Sequence, residues 1–190
     1  NHSVGASPGS TSETPAATAH SARSRIRGTA TRLAITIAPT SAPQPRRVTS
    51  GLDSARIAMM LGVRERRAGV RLATADCFVA TVGGVRLSEP ATDMAVALAI
   101  ASSATDTALP SGLVAFGEIG LAGDVRPISS LERRLAEAHR LGFTDAVMPT
   151  RALRARTASA APPPGMRLHE VATIAEAIST AQRLNRRGTT

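Results

Sequence analysis

The run DMAVALAIASS, Asp93 to Ser103, sets the strongest constraint on how this chain folds. Met94 to Ala101 are all apolar, so a helix over them has no polar side to offer water and must lie inside the domain. Pro90, just upstream, suits the first helical position, and the Asp93 carboxylate suits the positive end of the helix dipole. Other elements must therefore cover this helix. With three Phe and no Trp or Tyr, the core around it is built from Ala, Val, Leu, Ile and Met.

The covering elements can be read on both sides of it. RLAITIA, from Arg32, alternates as a strand, and PTSAPQPRR after it is a proline-broken connection. Ser50 and Asp53 have the spacing of a capping box, followed by a helix with Leu52, Met59, Met60 and Val63 on one face and a stop at Gly69. CFVATV is a buried strand ending at Gly83-Gly84, and its single cysteine, Cys77, reads as a small buried hydrophobe. GLVAFGEIGLAGDVRPI reads as two strands around Ala122-Gly123-Asp124. Ser129 with Glu132 caps a third helix whose inward stripe is Leu131, Leu135 and Ala138, and DAVMP is a further strand. Thr173 with Glu176 opens a basic C-terminal helix facing inward through Val171, Ile174, Ile178, Ala181 and Leu184. Residues 1–31, rich in Ser, Thr, Ala, Pro and Gly, read as a disordered or linker head before a domain over 32–190. The element order implies an α/β domain, a mixed sheet covered by helices.

The composition excludes several chemistries. All 23 basic residues are arginine, so the chain has no P-loop lysine and no lysine base for a Ser-Lys dyad. The four histidines, His2, His20, His139 and His169, are scattered and there is one cysteine, so no zinc site is expected. No G-x-S-x-G elbow is present. No apolar run approaches the roughly 20 residues that span a bilayer, and no secretory signal pattern follows Asn1. The expectation is a cytoplasmic chain without membrane contact, and a fragment and a short natural protein both fit it.

Four segments carry a family resemblance: APTSAPQPRRVTSGLD, GGVRLSEPATDMAVALAIASS, FGEIGLAGDVRPISSLERRLAEAHRLGF and AVMP. In this order they resemble the C-terminal domain of the bacterial RadA (Sms) DNA-repair ATPases, and more distantly the proteolytic domain of Lon and the first domain of magnesium-chelatase-like competence proteins. The resemblance implies the Lon-protease-like fold, which one ribosomal-protein domain type shares. Lon places its serine in G-P-S-A-G, where this chain has Glu89-Pro90-Ala91-Thr92-Asp93, so Ala91 stands at the nucleophile. Lon's lysine follows G-E-[VI]-x-P-I within G-G-L-K, and Glu132 stands there. Both positions are substituted, and Thr92 is the nearest hydroxyl.

The resemblance thus implies a non-proteolytic scaffold domain that assembles as a hexameric ring and helps hold DNA in recombination and branch migration. The family's ATP, Mg and Zn belong to an ATPase and a zinc ribbon absent from these residues, so no cofactor is expected here. The alternatives are a divergent Lon-type serine peptidase and a decayed gene product. Charge is uneven: +5 over residues 1–50, −1 over 51–150 and +5 over 151–190. Arg86, Arg126, Arg133 and Arg134 lie in the matching segments and are the candidate DNA contacts, to phosphate rather than base because stacking aromatics are scarce.

Overall fold

A computed structural model describes residues 19–26, 29–68, 74–84, 86–150 and 163–187. Its elements, in order, are β1 (Ala19–Ile26), β2 (Thr29–Pro39), β3 (Arg47–Ser50), α1 (Ser54–Ala68), β4 (Ala75–Thr81), a 3-10 turn (Pro90–Thr92), α2 (Asp93–Ala104), β5 (Leu113–Ala115), β6 (Glu118–Ile119), β7 (Val125–Arg126), α3 (Leu131–Arg140), β8 (Asp145–Pro149), β9 (Arg167–Val171) and α4 (Ile174–Arg187).

The apolar run does become a buried helix: every residue of α2 from Asp93 to Ser103 is shielded from solvent. What surrounds it is an α/β arrangement in which the strands are divided. One sheet has the order β1-β2-β4-β3, a second β5-β8-β9, and β6 forms a two-stranded sheet with β7. The first sheet is mixed, since β3 runs parallel to β4 while β1-β2 and β2-β4 are antiparallel; the second is wholly parallel. In the β2–β4 ladder Ile35 lies opposite Val79 and Ile37 opposite Cys77. Leu33, Ile35, Cys77 and Val79 are almost fully buried, as alternation toward a covered face requires. Burial raises the Cys77 thiol pKa, in keeping with an inert core residue. A separate core forms where Leu131, Leu135 and Ala138 of α3 meet Val114, Ala146 and Met148 of the second sheet.

Gly117 joins these parts. Its N–H donates to the Ala91 carbonyl at 3.0 Å and its carbonyl accepts from the Met94 N–H at 3.1 Å, so its backbone clamps the start of α2. A Cβ there would come within 2.8 Å of Val125 Cγ1, which is why a residue without one stands at this point.

The structure differs from the sequence-based expectations at several elements. The boundary at 31/32 falls inside a strand: residues 19–26 pair antiparallel with 29–36, so the first sheet begins within the supposed head. Polar residues dominate that outermost strand and hide its period. β3 follows the proline-broken connection unannounced, because an edge strand with three exposed residues has little apolar signal. At α1 the cap is Asp53 rather than Ser50, with Asp53 Oδ1 accepting from the Arg56 N–H at 2.9 Å, and the inward face is Ile57, Met60, Leu61 and Val63. At α3 the cap position is Ser130, in the left-handed region at φ 55° and without a side-chain cap bond, so Glu132 lies one residue too early for a capping box. The third cap stands: Thr173 Oγ accepts from the Glu176 N–H at 3.2 Å, and the Glu176 carboxylate accepts from the Ala172 N–H at 2.8 Å. GLVAFGEIGLAGDVRPI holds three strands, its first joining the parallel sheet. Gly69 and residues 1–18 lie outside the described residues.

Candidate functional site: the turn before α2

The 3-10 turn before α2 presents Ala91 and Thr92, both buried. Ala91 offers only a methyl group where nucleophilic attack needs an oxygen or sulfur lone pair. The Thr92 hydroxyl donates to the Glu89 carbonyl at 2.7 Å. Its proton therefore points at an acceptor that cannot remove it. An activated threonine requires the opposite arrangement, a base that takes the proton from the oxygen.

Asp93, next in the turn, is 2% exposed. The Arg56 guanidinium of α1 grips it from two sides, Nε to Oδ1 at 3.0 Å and Nη2 to Oδ2, and the Ile119 N–H donates to Oδ2 at 3.2 Å. Burial pushes its pKa up, and the Arg56 and Ile119 bonds oppose that rise. The carboxylate thus ties α1, α2 and β6 together. Sequence reasoning assigned Asp93 only a helix-dipole role. A charged residue bordering a wholly apolar helix was itself the signal that a partner had to exist, though the sequence does not say which of 23 arginines supplies it.

A second pair closes the turn against α3. Arg134 binds both carboxylate oxygens of Glu89 and also donates from Nε to the Ser129 carbonyl at 3.2 Å. Glu89 lies two residues before Ala91, and Arg134 two after Glu132. Ala91 and Glu132, the positions that the resemblance sets against Lon's serine and lysine, are therefore carried on segments that this ion pair fastens together. Glu132 is half-buried on the first turn of α3, and the sequence has no lysine to bring a side-chain ammonium to either position.

The four candidate arginines divide by environment. Arg134 is mostly covered and committed to Glu89. Arg126 is exposed but bonded to Asp124 at 2.8 Å and lies 4.0 Å from Glu118. Arg86 and Arg133 are exposed. His139, at the end of α3, is exposed as well.

One cluster escaped the sequence reading entirely. Asp145 at the start of β8 accepts from Arg167 Nε at 2.8 Å and Nη2 at 2.6 Å, from the Thr144 hydroxyl at 2.9 Å, and lies 2.9 Å from His169 Nε2. Its partners stand 22 and 24 residues away, brought alongside by parallel pairing of β8 with β9. Arg167 first, then His169 and Thr144, hold the carboxyl far below the usual carboxylate range. A depressed folded-state value contributes stability that is present above the unfolded value, about 3.9, and is lost as pH falls toward the folded one. Asp145→Asn is therefore expected to lose less of its melting temperature than the parent chain on acidification from about pH 6 to about pH 3, followed by circular dichroism.

Residues 67–182 match the Lon protease (S16) C-terminal proteolytic domain. The chain is 50% identical over 113 residues to the DNA repair protein RadA of Mycolicibacterium smegmatis, covering 60% of this chain and 24% of that protein. It is 43% identical over 134 residues to the DNA repair protein RadA of Mycobacterium tuberculosis, covering 70% and 26%. With the DNA repair protein RadA of Escherichia coli the figures are 42% over 135 residues, covering 71% and 28%. The chain spans about a quarter of the length of these curated relatives.

Proposed function

We propose a function from one premise: the chain belongs to the Lon-protease C-terminal domain family, in its RadA branch. On this reading it is a non-proteolytic scaffold domain of a DNA-repair protein, working through its surfaces in the cytoplasm and needing no cofactor of its own. The observation that carries the reading is the turn before α2, where Ala91 replaces a nucleophile and the one adjacent hydroxyl spends its proton on a backbone carbonyl. The same turn speaks against the divergent peptidase.

Two kinds of surface remain for such a domain. The first is cationic. Glu89–Arg134 holds the segment bearing Arg86 against α3, which bears Arg133, and guanidinium groups match phosphate oxygens in pairs. Arg86 and Arg133 are the primary phosphate contacts. Arg126 is partly neutralised by its acids, and Arg134 supports the segment from beneath. The second is the contact between copies that a ring would require, to which Leu121 of the β6–β7 turn, 79% exposed, could contribute one apolar side chain. Among the described residues no helix is long and apolar enough to cross a membrane.

DNA affinity of the chain, read by fluorescence anisotropy with a labelled duplex, is expected to fall steeply with salt. Each lost phosphate contact lowers the slope of log K against log[salt] by about 0.9. Arg86→Ala with Arg133→Ala should therefore flatten it by about 2, with little dependence on base sequence. Absence of binding at low salt, or an unchanged slope, refutes the cationic surface.

A further inference from the structure

We propose that the cavity between α4 and the start of β8 and β9 binds a phosphate-bearing ligand of mononucleotide size. The cavity holds about 400 Å³, within the range of small-molecule sites. Leu109, Pro110 and Leu184 supply its apolar lining, and Arg167 and His169 stand among its polar groups.

The hydrogen-bond inventory decides the ligand class. Asp145 already has Arg167 Nε and His169 at Oδ1, with Arg167 Nη2 and the Thr144 hydroxyl at Oδ2. Four bonds exhaust the capacity of a carboxylate, so it has nothing left for a cation or a ligand hydroxyl. Its effect is to aim its partners. Arg167 spends Nε and Nη2 on the carboxylate, and Nη1 has no partner among the described residues. The Arg167 side chain is 68% exposed, so that edge is open to a ligand. His169 turns Nε2 to Asp145, which leaves Nδ1 as its second polar atom. Exposed Arg183 and Arg186 flank the α4 lining residues, and the lining contains no acid besides Asp145. The local field therefore favours an anion, and a guanidinium edge favours phosphate. A bare phosphate leaves most of the volume unfilled, whereas an attached nucleoside can pack on Leu109, Pro110 and Leu184.

This assignment is independent of the cationic surface described above, since Arg86 and Arg133 do not line the cavity. The test titrates the 190-residue chain with 5′-dAMP and with deoxyadenosine, by calorimetry and by the NMR signal of the His169 ring. We expect 5′-dAMP to move that signal and to bind at least about tenfold more tightly than the nucleoside, the equivalent of one charge-assisted phosphate contact. Arg167→Gln should remove the difference. Because that variant also frees Asp145, Leu184→Glu is the second: it leaves the Asp145 contacts in place, adds a carboxylate to the lining and should abolish binding. An oligothymidylate with a free 5′-hydroxyl separates the two phosphate sources. A comparable His169 shift assigns the phosphate to a strand, and a shift with 5′-dAMP alone assigns it to a free nucleotide. Equal binding of nucleotide and nucleoside, no His169 response to either phosphate source, or undiminished binding by both variants overturns the proposal.

Discussion

Asp93→Ala is expected to destabilise the fold by about 3 kcal/mol or more, the low end of what breaking a buried ion pair costs. The carboxylate is 2% exposed and accepts from Arg56 Nε and Nη2 and from the Ile119 N–H, so its removal strands three donors. The Arg56 side chain retains 32% exposure, and the guanidinium can recover some hydration, which is why the low end applies. Arg56→Ala leaves the more deeply buried partner uncompensated. The buried carboxyl can then take up a proton, so Arg56→Ala should cost less at acid pH than at neutral pH. A double-mutant cycle with urea unfolding should return a coupling of about 1–3 kcal/mol between the two residues. Circular dichroism is the appropriate probe, because the chain has no Trp or Tyr. Additive effects would mean the pair contributes nothing beyond its separate parts.

Leu98→Ala should match or exceed that loss. Leu98 is 1% exposed at the middle of a helix that is buried along nearly its whole length, with both sheets and two other helices against it. Deleting its isobutyl group removes transfer energy and leaves a cavity whose walls are held by several independent elements, so relaxation is restricted. Core Leu→Ala changes cost about 2–5 kcal/mol, and restricted collapse places this one in the upper half of that range. Ala99→Gly, one position along, deletes only a methyl and should cost about 1 kcal/mol through helix propensity plus a small void. A measured cost for Leu98→Ala below that of Ala99→Gly contradicts the placement of α2 at the centre of the core.

These two residues also show what the sequence could and could not reveal. Leu98 was legible because it lies in an unbroken run of eight apolar residues, which defines burial locally. Strands β4 and β8 and the stripe of α3 were legible for the same reason: their periods lie within a few residues. The Thr173–Glu176 cap was readable because both its bonds are local. Asp93, in contrast, depends on Arg56, 37 residues earlier, and only the tertiary arrangement selects that arginine. Glu89 finds Arg134 across 45 residues, and Asp145 finds Arg167 and His169 through strand pairing. β3 and β1 lie at or near sheet edges with weak apolar patterning, so composition alone concealed them. At the candidate site, the sequence shows an alanine at 91 and a glutamate at 132, where the resemblance leads one to expect a serine and a lysine. It did not disclose how the surviving groups are bonded, and the Thr92 hydroxyl is the case that matters: its proton goes to the Glu89 carbonyl.

That bond makes the chemistry of the turn directly testable. The purified chain is treated with a serine-directed fluorophosphonate probe and analysed by intact mass, with casein cleavage followed in parallel. An unmodified mass and intact casein are expected, because the Ala91 methyl offers no attacking oxygen, the Thr92 hydroxyl is committed to the Glu89 carbonyl, and the sequence has no lysine to act as base. A covalent adduct mapped to Thr92, or casein cleavage that disappears in Thr92→Ala, would contradict the non-proteolytic reading.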